Sequence, residues 1–220
     1  MAPWPIFVIA GAAIGALTGL FGVGGSSIAT PMLAMLGVPP IMAVASPLPA
    51  TIPSAGAAVI PYVREREARL RAAAWTVLGG APAAIVGAYV SKVVGGRALL
   101  ILSGVALIAV GVRVLQGVDR AMRLRGGERR RHRVVLVAVA AGIGFLTGLL
   151  ANGGGFLLVP AYMLLFGLRM RQAAGTSLLV VIVLAIPTLI VHWSLGHIDW
   201  TVAAAFALGA VPSAFVAGRF

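Results

Sequence analysis

Residues 15–33 read GALTGLFGVGGSSIATPML, and residues 144–161 read GFLTGLLANGGGFLLVPA. Both stretches lie inside long apolar runs, and both gather several glycines where a helix would otherwise continue. Glycine inside a helix costs about 1 kcal/mol relative to alanine. Each stretch therefore predicts a broken helix, with the interruptions at residues 22–25 and 152–155.

The rest of the chain has the composition of a membrane protein. Of its 220 residues, 60% are hydrophobic and only 10% are charged, whereas soluble domains average about 25% charged residues. A helix needs about 20 mainly apolar residues to cross a bilayer. We therefore predict an all-α integral membrane protein with about seven hydrophobic spans. The predicted spans are residues 5–37, 41–63, 72–91, 98–114, 134–167, 173–195 and 200–220.

The formal net charge of +12 comes mainly from arginines in the links between the apolar runs. Positive links are typical of the cytoplasmic side of a membrane protein, so we place residues 64–71 and 117–133 in the cytoplasm. Basic patches that bind nucleic acid occur on soluble folds. The pattern thus favours the lipid bilayer as a partner and excludes nucleic acid.

Neither a metal site nor an enzyme active site is predicted. The chain has no cysteine, which removes disulfides and thiol ligands. The five acidic residues lie in links, and none shares an expected cleft with a histidine, as general acid–base catalysis would need. We therefore predict no cofactor, no metal and no enzymatic activity.

The two halves of the chain repeat each other. LTGLFGVGG at residues 17–25 corresponds to LTGLLANGG at residues 146–154, and Pro31 corresponds to Pro160. Internal duplication is frequent in secondary transporters. The predicted organisation is repeat 1 at residues 1–117, a basic cytoplasmic linker at residues 118–133, and repeat 2 at residues 134–220, which lacks a counterpart of the last helix of repeat 1.

The glycine breaks are the predicted substrate site. Unwound backbone inside a membrane is tolerated where protein buries it or water reaches it, and N–H groups at a helix N-terminus attract anions. Ser26 and Ser27 could add hydroxyl donors. The predicted substrate-binding residues are Thr18, Gly22, Gly24, Gly25, Ser26, Ser46, Thr147, Asn152, Gly153, Gly154, Gly155, Thr176 and Ser177.

Close helix packing is the alternative explanation for glycines in a membrane helix. It is favoured for Gly11, Gly15 and Gly19, which are spaced by four residues, whereas a ligand cavity is favoured for the two breaks. The hydroxyls of the matched pair Ser46 and Thr176 either face a polar cavity or bond to their own helix.

Several ionisable residues lie at or near the ends of the apolar runs. His192 lies near the end of the sixth run, where an interfacial position beside Trp193 is favoured over a role in proton coupling or substrate binding. Glu65 and Glu67 are expected to pair with arginines of their own link.

The twin motifs resemble the TauE/SafE family. The matching residues are 18–25 with Pro31 and 147–155 with Pro160, together with GHIDWTVA at residues 196–203. The resemblance implies an exporter or permease of sulfite, sulfonates such as sulfoacetate, or related sulfur anions. Ser26-Ser27, Pro47 and Asn152 depart from the family's pattern.

Two topologies fit the arginine links. Either each broken segment crosses the membrane once and the halves are parallel, or each turns back and the halves are inverted, which charge bias favours. The predicted function is secondary transport of small anions across the cell (inner) membrane. A non-transporting assembly partner and an anion channel are the alternatives. Coupling to H⁺ or Na⁺ stays open, and small-residue faces are compatible with a homodimer.

Overall fold

The computed structural model describes residues 3–121, 129–151 and 154–219. Within these ranges the chain forms helices and no strands. The helices are α1 (Trp4–Phe21), α2 (Ser26–Met35), α3 (Pro40–Ala45), α4 (Leu48–Arg64), α5 (Leu70–Val94), α6 (Gly96–Ala121), α7 (Arg129–Leu150), α8 (Gly155–Phe166), α9 (Met170–Ser194) and α10 (Trp200–Ala217).

Several helices are long and apolar enough to cross a membrane. In the described part of the chain these are Trp4–Phe21, Pro40–Arg64, Leu70–Val94, Met170–Ser194 and Trp200–Ala217. Two shorter helices, Gly96–Ala109 and Val137–Leu150, are also apolar. The prediction of a multi-pass helical membrane protein is confirmed, and the count of about seven spans stays a prediction. The predicted linker overlaps the end of α6 and the start of α7, and its residues 122–128 lie outside the described ranges.

Helix α1 packs against α10 along a stripe of glycines. A Cβ atom on Gly11 would strike the carbonyl of Phe206, and one on Gly19 would lie 2.5 Å from the carbonyl oxygen of Ala214. Gly15 meets α10 between these two contacts. The packing interpretation of the three glycines is confirmed. Because the contacts follow the same order on both helices, α1 and α10 run parallel.

Helix α5 packs against α7 in the same manner. A Cβ atom on Gly144 would strike the carbonyl of Gly80, and one on Gly148 would strike the carbonyl of Ala84. This pair is also parallel. Each pair joins a helix from the first half of the chain to a helix from the second half, so the two halves are interlocked.

Helices α4 and α9 lie between these pairs and run antiparallel. The end of α4 contacts the start of α9, where Arg171 forms an ion pair with Glu65 at 2.5 Å and lies 5.4 Å from the ring centroid of Tyr62. The expectation that Glu65 pairs within its own link is wrong, because the antiparallel helices bring a more distant arginine closer. We call this end of the bundle the arginine end.

Candidate functional site

The first interruption separates α1 from α2. Helix α1 ends at Phe21, and Gly22 follows with φ +66° and donates its N–H to the carbonyl of Thr18. Gly24 also has positive φ, at +56°, and α2 begins at Ser26. Glycine adopts these left-handed conformations at little cost because it has no Cβ. A Cβ on Gly22 would also lie 2.5 Å from the Cα of Ala174, so glycine is needed there for space as well.

The second interruption separates α7 from α8. Helix α7 ends at Leu150, and Ala151 follows with φ +52°. An L-residue in this region costs roughly 1–2 kcal/mol. Gly154 has φ +75° and precedes α8. Asn152 and Gly153, two of the predicted site residues, lie outside the described residues.

The two interruptions contact each other. A Cβ atom on Gly155 would lie 2.5 Å from the carbonyl carbon of Val23 and 2.6 Å from the amide nitrogen of Gly24. The start of α8 therefore rests directly on the backbone that precedes α2. Helix α9 fixes this backbone from the side, because Ser177 Oγ donates to the carbonyl of Gly22 at 2.6 Å.

The contact brings two helix N-termini together in an apolar region. The first-turn N–H groups of a helix have no partner within the helix, and its N-terminus carries about half a positive charge. Neither α2 nor α8 contains an acidic or basic residue. The positive potential at this point comes from peptide dipoles, which suits a small anion.

Ser27 lies in the first turn of α2 and is completely buried. Its Oγ has no hydrogen-bond partner among the residues that the structure describes. A buried hydroxyl without a partner costs about 1–3 kcal/mol, so a ligand that accepts its hydrogen would recover that energy. The neighbouring Ser26 Oγ reaches only the carbonyl of Gly24, at 3.5 Å.

The predicted set of site residues includes Ser26 but leaves Ser27 out. The sequence indicates both serines as possible hydroxyl donors, but it does not show which of the two hydroxyls is left without a partner.

Thr18 and Thr147 bond to their own helices. Each donates its hydroxyl to the carbonyl four residues earlier, at 2.9 and 2.8 Å. A Cβ on Gly25 would lie 2.6 Å from Thr18 Oγ1, and one on Gly154 would collide with Thr147 Oγ1. The threonines therefore line the backbone of the breaks, one at each interruption.

Ser46 and Thr176 contact helix starts. Ser46 Oγ accepts the N–H of Asp199, which precedes α10, and Thr176 Oγ1 accepts the N–H of Arg69, which precedes α5, both at 2.9 Å. Each bond joins one half of the chain to the other. The described contacts of these two hydroxyls are structural, and their part in substrate binding stays a prediction.

The imidazole of His192 is completely buried. The side chain of His192 points into the bundle, whereas that of the neighbouring Trp193 is 60% exposed. The interfacial position of His192 stays a prediction. Among the described residues, no cluster of three or more His, Asp or Glu side chains could hold a metal ion.

Comparison with known proteins gives the family. The family model described as sulfite exporter TauE/SafE matches residues 7–220. The probable membrane transporter protein YunE of Bacillus subtilis (strain 168) is 27% identical over 97% of this chain and 85% of its own. A probable membrane transporter protein of Xylella fastidiosa (strain 9a5c) is 33% identical over 91% of this chain and 78% of its own. No solved structure matches the chain. With nearly its whole length matched, the chain belongs to the TauE/SafE family.

Proposed function

We propose that the protein is a secondary transporter of small anions and that the anion binds where the N-termini of α2 and α8 meet. The observation that carries this proposal is the backbone contact of Gly155 with Val23 and Gly24. It brings two positive dipole ends to one point without any basic side chain. A buried arginine would hold a small anion strongly, whereas peptide dipoles favour binding followed by release.

The site lies near the middle of the bundle. A Cβ on Gly24 would lie 3.3 Å from the side chain of Val181, and Val181 stands near the midpoint of α9, Met170–Ser194. Substrate sites at mid-depth between broken helices are typical of transporters built from repeats.

We propose that the halves are inverted repeats in which each broken segment turns back. The antiparallel contact of α4 with α9 and the two parallel pairs that join the halves support this arrangement. It gives alternating access a simple form, in which one half rocks against the other around the meeting point of the breaks. The arginine end then faces the cytoplasm, in accord with the distribution of positive charge.

The favoured substrates are sulfur oxyanions such as sulfite, sulfoacetate or related organosulfonates. A sulfonate group presents three acceptor oxygens, which match the converging N–H groups and the hydroxyl of Ser27. The sulfite exporter description of the family and the transporter names of the relatives point in the same direction.

The test is the substitution Ser27→Ala in proteoliposomes loaded with unlabelled sulfoacetate, with uptake of labelled sulfoacetate as the readout. A hydrogen bond to a charged group contributes about 1.5–3 kcal/mol, so the KM should rise roughly 10- to 100-fold. Ser91→Ala is the matched control, because Ser91 is equally buried and its Oγ already donates to the carbonyl of Ala88 at 2.7 Å.

The thermal midpoint of the detergent-solubilised protein separates binding from folding. Ser27→Ala should leave the midpoint unchanged or raise it, because the hydroxyl has no partner in the described residues. An unchanged KM in this variant would remove the α2 N-terminus from the substrate site. Wild-type uptake that never saturates would favour the channel alternative, and no uptake at all would favour the assembly partner.

A further inference from the structure

His192 makes two hydrogen bonds at the end of the bundle opposite the arginine end. Its Nε2 lies 3.1 Å from the carbonyl oxygen of Gly148, in the last turn of α7. Its Nδ1 lies 3.1 Å from Nδ1 of His197, in the link before α10. His192 is completely buried, whereas His197 is partly exposed, so His197 connects the buried imidazole to the surface.

The bonding partners fix the positions of the hydrogens. A carbonyl oxygen only accepts hydrogen bonds, so Nε2 of His192 must carry a hydrogen. When His192 is neutral, its Nδ1 is bare and accepts the hydrogen from Nδ1 of His197. One further proton can reach His197 Nε2 while the shared hydrogen passes to His192 Nδ1, and every hydrogen bond is kept. A second proton would set two N–H groups against each other, so the pair binds one.

Tyr62 occupies the position in predicted repeat 1 that corresponds to His192 in repeat 2. His192 follows Tyr62 by 130 residues, and Gly148 follows Gly19 by 129 residues. Its hydroxyl donates to the carbonyl of Gly19 at 2.8 Å, as His192 does to that of Gly148. A tyrosine is therefore sufficient to bond the end of the first helix of a repeat. A histidine at this position makes the same bond and, when it contacts a second histidine, can also bind a proton.

We propose that His192 and His197 form the binding site for one coupling proton of the transport cycle. This inference rests on the proposed anion transport. Gly148 lies three residues before Ala151, where the second interruption begins, so a protonated His192 puts a positive charge at the end of α7 that leads into the second interruption. The negative end of the α7 dipole stabilises the same charge. The proton then moves with the anion and reduces by one the negative charge that crosses the membrane.

The other charges around this site are few. Helices α1, α4, α5, α7 and α8 pack against α9. Of these, α1 and α8 contain no charged residue. The arginine of α4 is its last residue, that of α5 is its second residue, and those of α7 are confined to its first five residues. Lys92 in the last turn of α5, Arg97 in the first turn of α6 and Asp199 occupy the same end as the histidines.

Asp199 is already engaged, because its carboxylate accepts the N–H groups of Thr201 and Val202. Burial lowers the pKa of His197 below its ordinary value. Burial therefore favours the neutral form of His197, and a fall in pH on its side favours proton binding by the pair.

The experiment compares wild-type protein with His197→Gln, His192→Tyr and His132→Gln in proteoliposomes. The chain has three histidines, and His132, in the arginine-rich link, is the control. Two readouts are taken with sulfoacetate: exchange of labelled for unlabelled substrate without a pH gradient, and accumulation driven by a pH gradient. We expect His197→Gln to retain exchange and to lose pH-driven accumulation at least tenfold. His192→Tyr keeps a hydrogen-bond donor for the carbonyl of Gly148, and it should likewise retain exchange and lose pH-driven accumulation. His132→Gln should match wild type in both readouts.

Accumulation by His197→Gln at the wild-type level would overturn the proton site. A wild type that carries no anion would overturn the proposed transport, and histidine titration then tests the pair directly. In the detergent-solubilised protein labelled with ¹⁵N at histidine, His192 and His197 should take up one proton between them, and His197→Gln should change the titration of His192. Independent titration of the two rings would refute the shared site.

Discussion

Gly155→Ala tests the contact between the two interruptions. The added Cβ would lie 2.5 Å from the carbonyl carbon of Val23 and 2.6 Å from Val23 O and Gly24 N. All three atoms belong to the backbone, so no side-chain rotation can make room. Ordinary contact begins near 3.4 Å, which requires the start of α8 to retreat by about 1 Å, and overpacking of this kind costs about 1–3 kcal/mol.

Two measurements follow from that displacement. The thermal midpoint in detergent should fall by roughly 2–4 °C for each kcal/mol lost in a chain of this length. The KM for sulfoacetate in proteoliposomes should rise about tenfold or more, since weakening one hydrogen bond to a charged group costs about 1.5 kcal/mol.

Gly142→Ala is the matched control for this substitution. Gly142 lies within α7, and a Cβ there would meet nothing within 4 Å. Alanine inside a helix gains up to about 1 kcal/mol over glycine, so this variant should be equally or more stable and should transport normally. If Gly155→Ala matches the control in both midpoint and KM, the two interruptions do not form the site.

Three further substitutions test contacts between residues that are far apart in the sequence. Tyr62→Phe removes the hydroxyl that donates to Gly19 and should lower the free energy of unfolding by about 1 kcal/mol, measured as a lower thermal midpoint. Thr176→Val leaves the N–H of Arg69 without its acceptor and should cost about 1–3 kcal/mol, while an unchanged KM would assign Thr176 to structure alone. Glu65→Gln should cost less than about 1 kcal/mol, because both side chains of its ion pair are about half exposed and such pairs are weak. A loss that persists in high salt would contradict this.

Several helix ends and helix contacts could be predicted from local sequence alone. The cluster of glycines at residues 22–25 lies between the end of α1 and the start of α2, where Gly22 and Gly24 adopt the positive φ that few other residues tolerate. The spacing of Gly11, Gly15 and Gly19 likewise predicts their contact with another helix. Both inferences need only neighbouring residues and the known preferences of glycine.

The missed features depend on which helices become neighbours. Glu65 pairs with a residue 106 positions away, and Ser46 binds a backbone amide 153 positions away. The sequence places His192 near the end of an apolar run but does not show that its side chain bonds to the backbone of α7. No periodicity within a segment predicts these contacts, because they depend on which distant segments of the chain pack together.

The differences between the halves matter as much as their similarity. If inverted repeats were identical, the inward-open and outward-open states would have equal energy, and only differences between matched positions could favour one. Ser177 donates to the backbone of the first interruption, whereas the matched position on the α4 side is Pro47, which has no side-chain donor. Tyr62 anchors one helix end permanently, and His192 anchors the other through a group that can bind a proton. The first interruption is thus held by fixed hydrogen bonds, so we expect a change in proton occupancy to act on the second interruption, at the end of the bundle where the histidines lie.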